Sequence, residues 1–497
     1  MDSGGSLGGP AVIVIGGGIS GLAAAHRLTS LKKESKKNYS VLLLEASSRL
    51  GGVIKTHRQA DCLIEDGPDA FLTAKPWALN LLKELGLAEH IISTNEAHRR
   101  AFVARGRYLV PLPEGFRLLA PADLLSFARS PLFSLGGKLR MLLDLALPRH
   151  PLLIDGDGNM RSDFDESLSS FVARRLGREA LDRVAEAMVA GIYTADPTRL
   201  SVRATIPQFL EWEAKCGSVI RGLKSQKKTG PYATGIAAKE AGAGVRYSMF
   251  ASLDEGLELM VTSLEKHIDR VRLNAKVRQL SFEAANKKWR LQLEEGETLT
   301  ADGIVAAVPA YAAAHLLKNV SGELSQALER IEYASSCVIN FIFDRRQIAH
   351  DLDGFGFVVP AREKKGIIAG GFSSVKFKGR APDNKVVLRA FLGGALQNEL
   401  LSHSDDKLIE RALNDLDFYL GISGQPEYVR LVRWPRSMAQ YAVGHLSLVS
   451  QIESLARELP GLYLSGSAYR GVGIPDCIRA GQDAAERSAA DMDFRYH

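Results

Sequence analysis

The sequence is poor in cysteine and has no long apolar run. Four cysteines occur among 497 residues, with no C-x-x-C pair and no Cys/His cluster at metal-ligand spacing (Cys62, Cys216, Cys337 and Cys477). This pattern indicates reduced cysteines in a cytosol-facing protein and predicts no metal site. No apolar stretch reaches the eighteen residues of a typical bilayer-spanning helix, which leaves only attachment to a membrane surface open.

A charge excess of one sign is also lacking. The 63 lysine and arginine residues are interspersed with 57 acidic residues, for a net charge of +6. Such a surface argues against nucleic-acid binding and fits an anionic substrate or anionic lipid head groups. The first ten residues have neither the apolar stretch of a secretion signal nor the pattern of a transit peptide, so export is not expected.

The clearest motif lies near the start of the chain. Residues 12–15 are Val, Ile, Val and Ile, which suit a strand buried on both faces, and Gly16, Gly18 and Gly21 then satisfy G-x-G-x-x-G. Gly16 allows the tight turn, Gly18 lets the backbone approach a pyrophosphate, and Gly21 allows a helix to pack closely on the sheet. The motif predicts a dinucleotide-binding half-domain.

An acidic residue follows at the expected place. Glu45 closes a second apolar strand, VLLL, where a carboxylate can accept hydrogen bonds from ribose hydroxyls. An acid here disfavours a 2′-phosphate, so NADP is not expected. The same glycine pattern can mark an ordinary strand-to-helix turn, but the turn, strand and acid together favour nucleotide binding.

The rest of the chain predicts an α/β fold with a discontinuous doubly wound nucleotide-binding domain, a mixed-sheet substrate domain and a helical insertion. We expect a strand at 271–280, a strand at 304–308 that rejoins the first sheet, and a helix from Ile474. Asp165 is expected to cap a helix, and residues 222–244 are expected to form a mobile loop. The expected boundaries are 1–97, 251–310 and 441–497 for the nucleotide-binding domain, 211–250 for part of the substrate domain with the mobile loop, and 311–440 for the mixed sheet. Residues 98–210 are expected to form the helical insertion, to line the substrate pocket and to contact a membrane surface.

Motifs at both ends, and several between them, resemble one family. GGGISGL, LLEAS-x-RLGG, GPD and LSGSAYRGVGIPDCIRAG resemble the FAD-dependent amine oxidase superfamily. AGIYTADPTRLSVRATIPQF, GFGFVVP and RWPRSMAQYAVGH resemble, more closely, the oxygen-dependent protoporphyrinogen oxidases. The resemblance covers nearly the whole chain and implies non-covalent FAD, with the pyrophosphate at the glycine turn and the ribose at Glu45.

The resemblance also implies which residues contact the cofactor. Gly51, Gly52, Gly67, Pro68 and Asp69 would lie near the isoalloxazine, Val277 near the adenine end, and Trp434 would be either a flavin contact or a core aromatic. The full set expected to bind the cofactor is Gly16, Gly17, Gly18, Ile19, Ser20, Gly21, Glu45, Ala46, Arg49, Gly51, Gly52, Val53, Gly67, Pro68, Asp69, Val277, Trp434, Gly466, Val472, Gly473 and Ile474.

A flat tetrapyrrole with propionates is the substrate that the resemblance implies. Phe391 would stack on it, and Gly191 and Tyr193 would line the opposite wall. Val358 and Gly371 stand where the family often has larger residues, so the pocket edge is expected to be roomier. Either Arg99 or Arg100 would bind a propionate, because a guanidinium suits a carboxylate, or remain a solvated surface charge.

The implied reaction is the six-electron oxidation of protoporphyrinogen IX to protoporphyrin IX in heme biosynthesis, with O2 as acceptor and H2O2 as product. No catalytic acid or base is expected, because positioning and flavin tuning suffice. The implied location is the cytoplasm or the cytoplasmic face of the inner membrane, with peripheral membrane association, a homodimer and handover of product to the next enzyme of the pathway as further expectations.

Three other functions stay open at this point. The same chemistry on coproporphyrinogen III would use two extra propionates and the roomier edge. A flavin amine oxidase would need an aromatic cage and an acid for the amine, which are not apparent. A flavin-binding protein without catalysis would be indicated by a degenerate glycine turn or a missing ribose acid, and neither is seen.

Overall fold

The computed structural model describes residues 9–35, 38–113, 116–117, 119–121, 123–226 and 248–496. The strands are β1 (Ala11–Ile15), β2 (Ser40–Leu44), β3 (Thr56–Gln59), β4 (Cys62–Glu65), β5 (Phe71–Leu72), β6 (Ile91–Ser93), β7 (Phe102–Arg105), β8 (Tyr108–Pro111), β9 (Phe116–Arg117), β10 (Ala120–Pro121), β11 (Phe250–Leu253), β12 (Val271–Arg272), β13 (Val277–Glu283), β14 (Lys288–Leu293), β15 (Thr298–Ala301), β16 (Gly303–Ala306), β17 (Tyr333–Asp344), β18 (Gly356–Val358), β19 (Ile367–Phe372), β20 (Lys385–Gly393), β21 (Tyr428–Ala439) and β22 (Leu462–Leu464).

The helices are α1 (Ile19–Ser35), α2 (Trp77–Glu84), α3 (Leu124–Arg129), α4 (Leu135–Leu142), α5 (Leu168–Arg175), α6 (Arg178–Ala180), α7 (Glu186–Tyr193), α8 (Val202–Thr205), α9 (Pro207–Cys216), α10 (Val219–Gln226), α11 (Glu258–Glu265), α12 (Ala310–Leu317), α13 (Gly322–Glu329), α14 (Ser373–Lys376), α15 (Asp405–Leu420), α16 (His445–Arg457) and α17 (Ile474–Tyr496).

A parallel sheet of five strands, in the order β12-β2-β1-β16-β22, carries the glycine turn. Its central strand β1 is buried along its whole length, as its run of β-branched residues predicts. β16 pairs with β1 in parallel, with Ile13 opposite Ile304, which confirms the strand predicted at 304–308. The sheet combines strands from three distant parts of the chain, since β22 follows β1 by more than 400 residues.

Two helices cover one face of this sheet and meet without side chains between them. A Cβ on Gly481 of α17 would lie 2.1 Å from the carbonyl oxygen of Ser20 in α1. Only glycine allows this close approach. The helix predicted from Ile474 is confirmed. Through this contact the C-terminal helix packs directly on the first helix.

The second sheet has seven strands in the order β21-β17-β20-β19-β18-β7-β8. All neighbours are antiparallel except β18 and β7, which run parallel, so the sheet is mixed. The predicted fold class, α/β with a parallel sheet and a mixed sheet, is therefore confirmed. Part of the sheet differs from expectation, because β7 and β8 come from residues 98–210, which were expected to be helical.

Two other local predictions are wrong. The strand expected at 271–280 is two strands in different sheets, because Asn274 adopts a positive φ of +53° and turns the chain between them. Asp165 does not cap α5, the helix that follows it, because Ser167 does so. The Asp165 carboxylate instead lies at the start of α8, where it accepts hydrogen bonds from the Ser201 hydroxyl and the Arg203 amide.

The loop expected at 222–244 lies mostly outside the described residues. Its described part, residues 222–226, belongs to helix α10 and is not a loop. Helices α3 to α10 form the helical insertion, and in the chain they lie between β10 and β11. Within the described ranges, no helix has the length and apolar character needed to cross a bilayer.

Candidate active site

The glycine turn between β1 and α1 combines tight and open positions. Gly16 has a φ of +105°, and a Cβ on Gly21 would lie 1.9 Å from the carbonyl oxygen of Gly16, so both positions require glycine for the fold itself. A Cβ on Gly18, in contrast, would meet no described atom within 4 Å. This open backbone at a helix N-terminus fits the pyrophosphate of FAD.

Glu45 lies directly after β2 and faces the same turn. One carboxylate oxygen accepts a hydrogen bond from the Gly17 amide at 2.7 Å, and the other accepts one from the Ser47 amide at 2.7 Å. Each oxygen keeps a further lone pair, which can accept a hydrogen bond from a ribose hydroxyl. The structure thus brings the predicted acid and the predicted turn together.

Residues 46–53 run alongside the turn. The Gly51 amide donates to the carbonyl oxygen of Gly17 at 2.8 Å, so the predicted glycine pair contacts the glycine turn directly. The Arg49 guanidinium donates to the backbone carbonyls of Leu50, Gly52 and Ile54. Through these hydrogen bonds Arg49 stabilises the backbone conformation of this segment. Ala46 and Val53 are its first and last residues.

The Glu65–Asp69 loop, which contains Gly67 and Pro68, is held by side chains from the mixed sheet. Arg430 forms a two-pronged ion pair with Asp66 at 2.5 and 2.7 Å. The indole N–H of Trp434 donates to the Asp66 carbonyl oxygen at 2.8 Å. Trp434 is partly buried and contacts this loop directly. A second guanidinium, from Arg389, donates to the Gly67 carbonyl oxygen. The two sheets meet at this loop.

Ionised Asp69 is stabilised by two cations. Burial alone would raise the pKa of Asp69, but Lys376 at 2.9 Å and Arg389 at 3.5 Å together lower it to about 2. Burial also raises the pKa of the neighbouring Glu65 to about 6, against the hydrogen bond from the Leu257 amide and the charge of Arg380. The loop therefore contains two carboxyl groups whose affinities for protons differ strongly.

The low pKa of Asp69 predicts a pH dependence of stability. Its ion pairs contribute about 2 kcal/mol above its ordinary pKa of 3.8, and the contribution is lost as the pH falls from 3.8 to about 2. Asp69→Asn should lower the free energy of unfolding at pH 7 by that amount and flatten its dependence in this pH window. Urea unfolding at pH 7, 4 and 3 measures both effects, and parallel pH profiles for the two proteins would contradict the assignment.

The Gly466–Gly473 loop, which precedes α17, lies next to the glycine turn. The hydroxyls of Ser20 and Ser465 share a hydrogen bond of 2.6 Å, and Gly466 then turns the chain with a φ of +129°. Val472 and Gly473 precede Ile474, the first residue of α17. The two strand-to-helix junctions predicted to hold the cofactor are therefore adjacent.

Val277 lies at the start of β13, in an antiparallel sheet of three strands next to the parallel sheet. It is buried, and the Ala275 amide two residues earlier donates to the carbonyl oxygen of Glu45 at 2.9 Å. The chain just before Val277 is therefore hydrogen-bonded to Glu45, the acid predicted to bind the ribose.

Four of the residues predicted to bind substrate meet in two pairs, one within the mixed sheet and one between α7 and β18. A Cβ on Gly371 would lie 3.7 Å from the ring of Phe391, and one on Gly191 would lie 3.5 Å from a methyl of Val358. Phe391 is partly exposed although most of its strand is buried. Side chains that line a pocket are expected to show such partial exposure.

The two candidate arginines each have an acidic partner. Arg99 pairs with Glu96 at 2.6 Å and Arg100 with Asp353 at 2.7 Å, and both side chains are more than half exposed. They lie just before β7, beside the strand that carries Val358. Tyr193 donates to the Thr205 carbonyl oxygen at 3.3 Å, and burial raises the pKa of Tyr193 to about 12, so it stays neutral.

Sequence reasoning missed Arg389, Arg430 and Lys376. Each contacts the Glu65–Asp69 loop across more than 300 residues of chain. Arg389 also lies over the ring of Phe391, 4.9 Å from its centre, and thereby joins the predicted substrate surface to the predicted flavin loop. The one available signal was its position two residues before Phe391, on the same face of a strand.

One group that could hold a metal ion occurs among the described residues. His90, Asp254 and Glu255 place ligand atoms within 4.8 Å of one another at the protein surface. The imidazole of His90 already forms a hydrogen bond of 3.0 Å with Asp254. No sequence pattern predicts this group, because His90 and Asp254 are 164 residues apart.

The fold and the site together define the class of dinucleotide-binding α/β proteins, with a glycine turn on a parallel sheet beside a second, mixed sheet. Residues 19–488 match the family of flavin containing amine oxidoreductases, and the chain belongs to that family. This membership confirms the predictions of an FAD cofactor and of a flavin-dependent oxidoreductase.

Several relatives are similar over nearly their full length. The coproporphyrinogen III oxidase of Bacillus subtilis (strain 168) is 35% identical, with 95% of this chain and 96% of the relative covered. The protoporphyrinogen oxidase of Bos taurus is 32% identical, with 96% and 98% covered. A crystal structure from Exiguobacterium sp. 255-15, provisionally assigned as a protoporphyrinogen oxidase, superposes with a TM-score of 0.82 at 29% identity and covers 99% of this chain and 100% of its own.

Proposed function

We propose that the chain is an FAD-dependent porphyrinogen oxidase that converts protoporphyrinogen IX to protoporphyrin IX in heme biosynthesis, with O2 as acceptor and H2O2 as product. The observation that carries the proposal is the contact between Arg389, the Phe391 ring and the Glu65–Asp69 loop. It places a partly exposed aromatic surface next to the loop assigned to the flavin. The names of the relatives support the same chemistry.

The proposed cofactor site uses the backbone more than side chains. The open face at Gly18 would take the pyrophosphate, Glu45 the ribose, and the Glu65–Asp69 and Gly466–Gly473 loops the ring system. When bound, FAD supplies the hydride acceptor for each of three two-electron steps. The amides at the start of α17 give that end of the site a partial positive charge, which favours an anionic reduced ring.

The remaining work falls to residues that position the substrate. Phe391 offers a flat face for a tetrapyrrole, and Gly371 beside it leaves the space that a side chain would fill. Gly191 does the same on the opposite wall, next to Val358. We assign no general acid or base, because meso C–H bonds of a porphyrinogen are reactive and conjugation favours proton loss from the pyrroles. Positioning and exclusion of water are the protein's contribution.

Coproporphyrinogen III is the second candidate substrate. The small residues Val358 and Gly371 favour it, because they widen the edge of the surface where bulkier peripheral groups would lie. Anaerobic flavin bleaching by each porphyrinogen in turn, followed by porphyrin fluorescence on admitting air, distinguishes the two. Faster bleaching by protoporphyrinogen IX supports the proposal, and faster bleaching by coproporphyrinogen III moves the enzyme to that substrate. Bleaching by neither, with FAD bound, contradicts both.

Arginine substitutions test the propionate contact. If one guanidinium binds a propionate, Arg99→Gln or Arg100→Gln should raise KM roughly 10-fold while kcat changes little, because a charge-assisted hydrogen bond is worth about 1.5–3 kcal/mol. Steady-state kinetics of both variants with both porphyrinogens measures this. The control is Arg161→Gln, which removes an exposed arginine paired with Asp163. Unchanged KM in both test variants would show that propionate is bound elsewhere.

We also propose peripheral attachment to a membrane, with the cytoplasm or the cytoplasmic face of the inner membrane as the location. Leu135, Leu139 and Leu143 follow one face of α4 and its end at intervals of four residues, and each is more than half exposed. Such a row can enter the boundary between head groups and acyl chains. Leu135→Ser with Leu139→Ser should reduce sedimentation with anionic vesicles. Product handover and a homodimer stay predictions from the resemblance.

A further inference from the structure

A short connecting segment, residues 440–445, joins β21 to α16 and passes behind the Gly466–Gly473 loop. It is the last part of RWPRSMAQYAVGH, and the site described above assigns a role to Trp434 of this motif but none to residues 440–445. Two of its aromatic side chains, Tyr441 and His445, are buried and stacked, with ring centres 4.0 Å apart and planes 14° apart. The stacked pair forms a rigid surface against the loop.

Both rings of this pair bind the backbone of the loop. The Tyr441 hydroxyl donates to the carbonyl oxygen of Ser467 at 2.7 Å and accepts a hydrogen bond from the Gly471 amide at 2.7 Å. The His445 imidazole donates from Nε2 to the Tyr469 carbonyl oxygen at 2.8 Å. Three backbone groups of the loop thus depend on two side chains.

The protonation states of the pair suit these bonds. Burial raises the pKa of Tyr441 well above its ordinary value, so the hydroxyl keeps the proton that it donates. Burial lowers the pKa of His445, although its bond to Tyr469 opposes the shift, so the ring is neutral at pH 7. Because a carbonyl oxygen can only accept, that neutral ring carries its proton on Nε2.

The same segment is bonded on its other side to the helical insertion. The Ser201 amide donates to the Tyr441 carbonyl oxygen at 2.8 Å, and the Gly444 amide donates to the Asp165 carboxylate at 3.0 Å. Asp165 accepts from the Ser201 hydroxyl as well. The connecting segment therefore lies between the insertion, which supplies Gly191 and Tyr193, and the flavin loop.

We propose that Tyr441 and His445 are positioning residues, which hold the Gly466–Gly473 loop in the conformation that binds the flavin ring and set its distance from the substrate wall. The inference rests on the flavin site of the proposed function and adds two residues to it. Neither side chain needs to touch the flavin. Their effect passes through the three backbone groups that they bind.

Tyr441→Phe tests the inference, because it keeps the stacked ring and removes only the hydroxyl. We expect FAD to bind about tenfold more weakly, since two loop groups lose their partner, and we expect the absorption and fluorescence of the remaining bound flavin to change. Titration of apoprotein with FAD, with flavin spectra and far-UV circular dichroism of each sample, gives these readouts. A purely structural tyrosine would change the unfolding midpoint and leave the spectrum of bound flavin unaltered.

Tyr419→Phe is the matched control. Its hydroxyl is buried and has no hydrogen-bond partner among the described residues, and it lies in α15, so its loss should affect neither FAD affinity nor flavin spectrum. Wild-type affinity and spectrum in folded Tyr441→Phe, or an equal effect of Tyr419→Phe, would overturn the inference. If Tyr441→Phe does not fold, His445→Gln is judged by the same two readouts. Wild-type protein that binds no FAD would refute the proposed flavin site instead, so the two failures are distinguishable.

Discussion

The Gly18→Ala variant is expected to fold as the wild type does and to bind FAD roughly 10- to 100-fold more weakly. A methyl group at this position meets no described protein atom within 4 Å, and Gly18 has no positive φ that alanine would strain. The added carbon would enter only the space assigned to the pyrophosphate. Affinity should therefore fall without a change in the unfolding midpoint of the apoprotein, as measured by FAD titration and urea unfolding.

Two further glycines serve as controls for this prediction. Gly21→Ala places a carbon 1.9 Å from a backbone oxygen and should destabilise the protein itself, with or without FAD. Gly322→Ala adds a methyl group in open space at the start of α13 and should change neither property. FAD affinity of Gly18→Ala equal to that of Gly322→Ala would mean that the pyrophosphate lies elsewhere.

Arg175→Met should lower the free energy of unfolding by about 3–5 kcal/mol, the usual cost of leaving a buried charge without its partner. Arg175 and Asp144 have no exposed side-chain surface, and the Arg175 Nε donates to the Asp144 carboxylate at 2.6 Å. The same guanidinium donates to backbone carbonyls of Pro148 and Gly217 at 2.9 Å. One side chain thus ties together α5 and the segments around α4 and α9, and urea unfolding measures its contribution.

The loss of stability in Arg175→Met should depend on the Asp144 carboxylate, which is left without its cation. In Arg175→Met with Asp144→Leu both charges are gone, so part of the lost stability should return. Arg161→Met, which removes an exposed ion pair with Asp163, should change the free energy of unfolding far less, because water screens that pair. Because Asp144 also accepts from the Ser218 hydroxyl and the Ile220 amide, Asp144→Leu alone is measured as well. If the losses of the two single variants simply add in the double variant, the loss in Arg175→Met comes from the backbone contacts and not from the unpaired carboxylate.

The sequence was sufficient to predict the parts of the fold whose signals are local. The strand before Gly16, the return of a strand near 304 and the helix from Ile474 were predicted because each has its own apolar period and turn residues. The strand at 271–280 was predicted wrongly, because one asparagine with a positive φ divides it, and no apolar pattern reports such a turn.

The residues of the candidate site also divide into those with a local sequence signal and those without one. Backbone positions such as Gly18 and Glu45 follow from a motif with fixed spacing, and the structure brings them together. The contacts of Arg389, Arg430 and Lys376 with the Glu65–Asp69 loop could not be predicted, because the sequence pattern does not show which distant acid or carbonyl group a cation will meet. Asp165 was misassigned for a related reason, since its carboxylate bonds Ser201 and Gly444 instead of the helix next to it in sequence.

The hydrogen bond between Ser20 and Ser465, across 445 residues, has a consequence for biosynthesis. During translation the glycine turn leaves the ribosome long before β22 and α17, which border the proposed cofactor site. Until then the apolar faces of β16 and α1 that they cover remain exposed, as in other folds dominated by distant contacts. FAD supply should therefore matter most once α17 (Ile474–Tyr496) has been synthesised, when cofactor binding can first stabilise the native state.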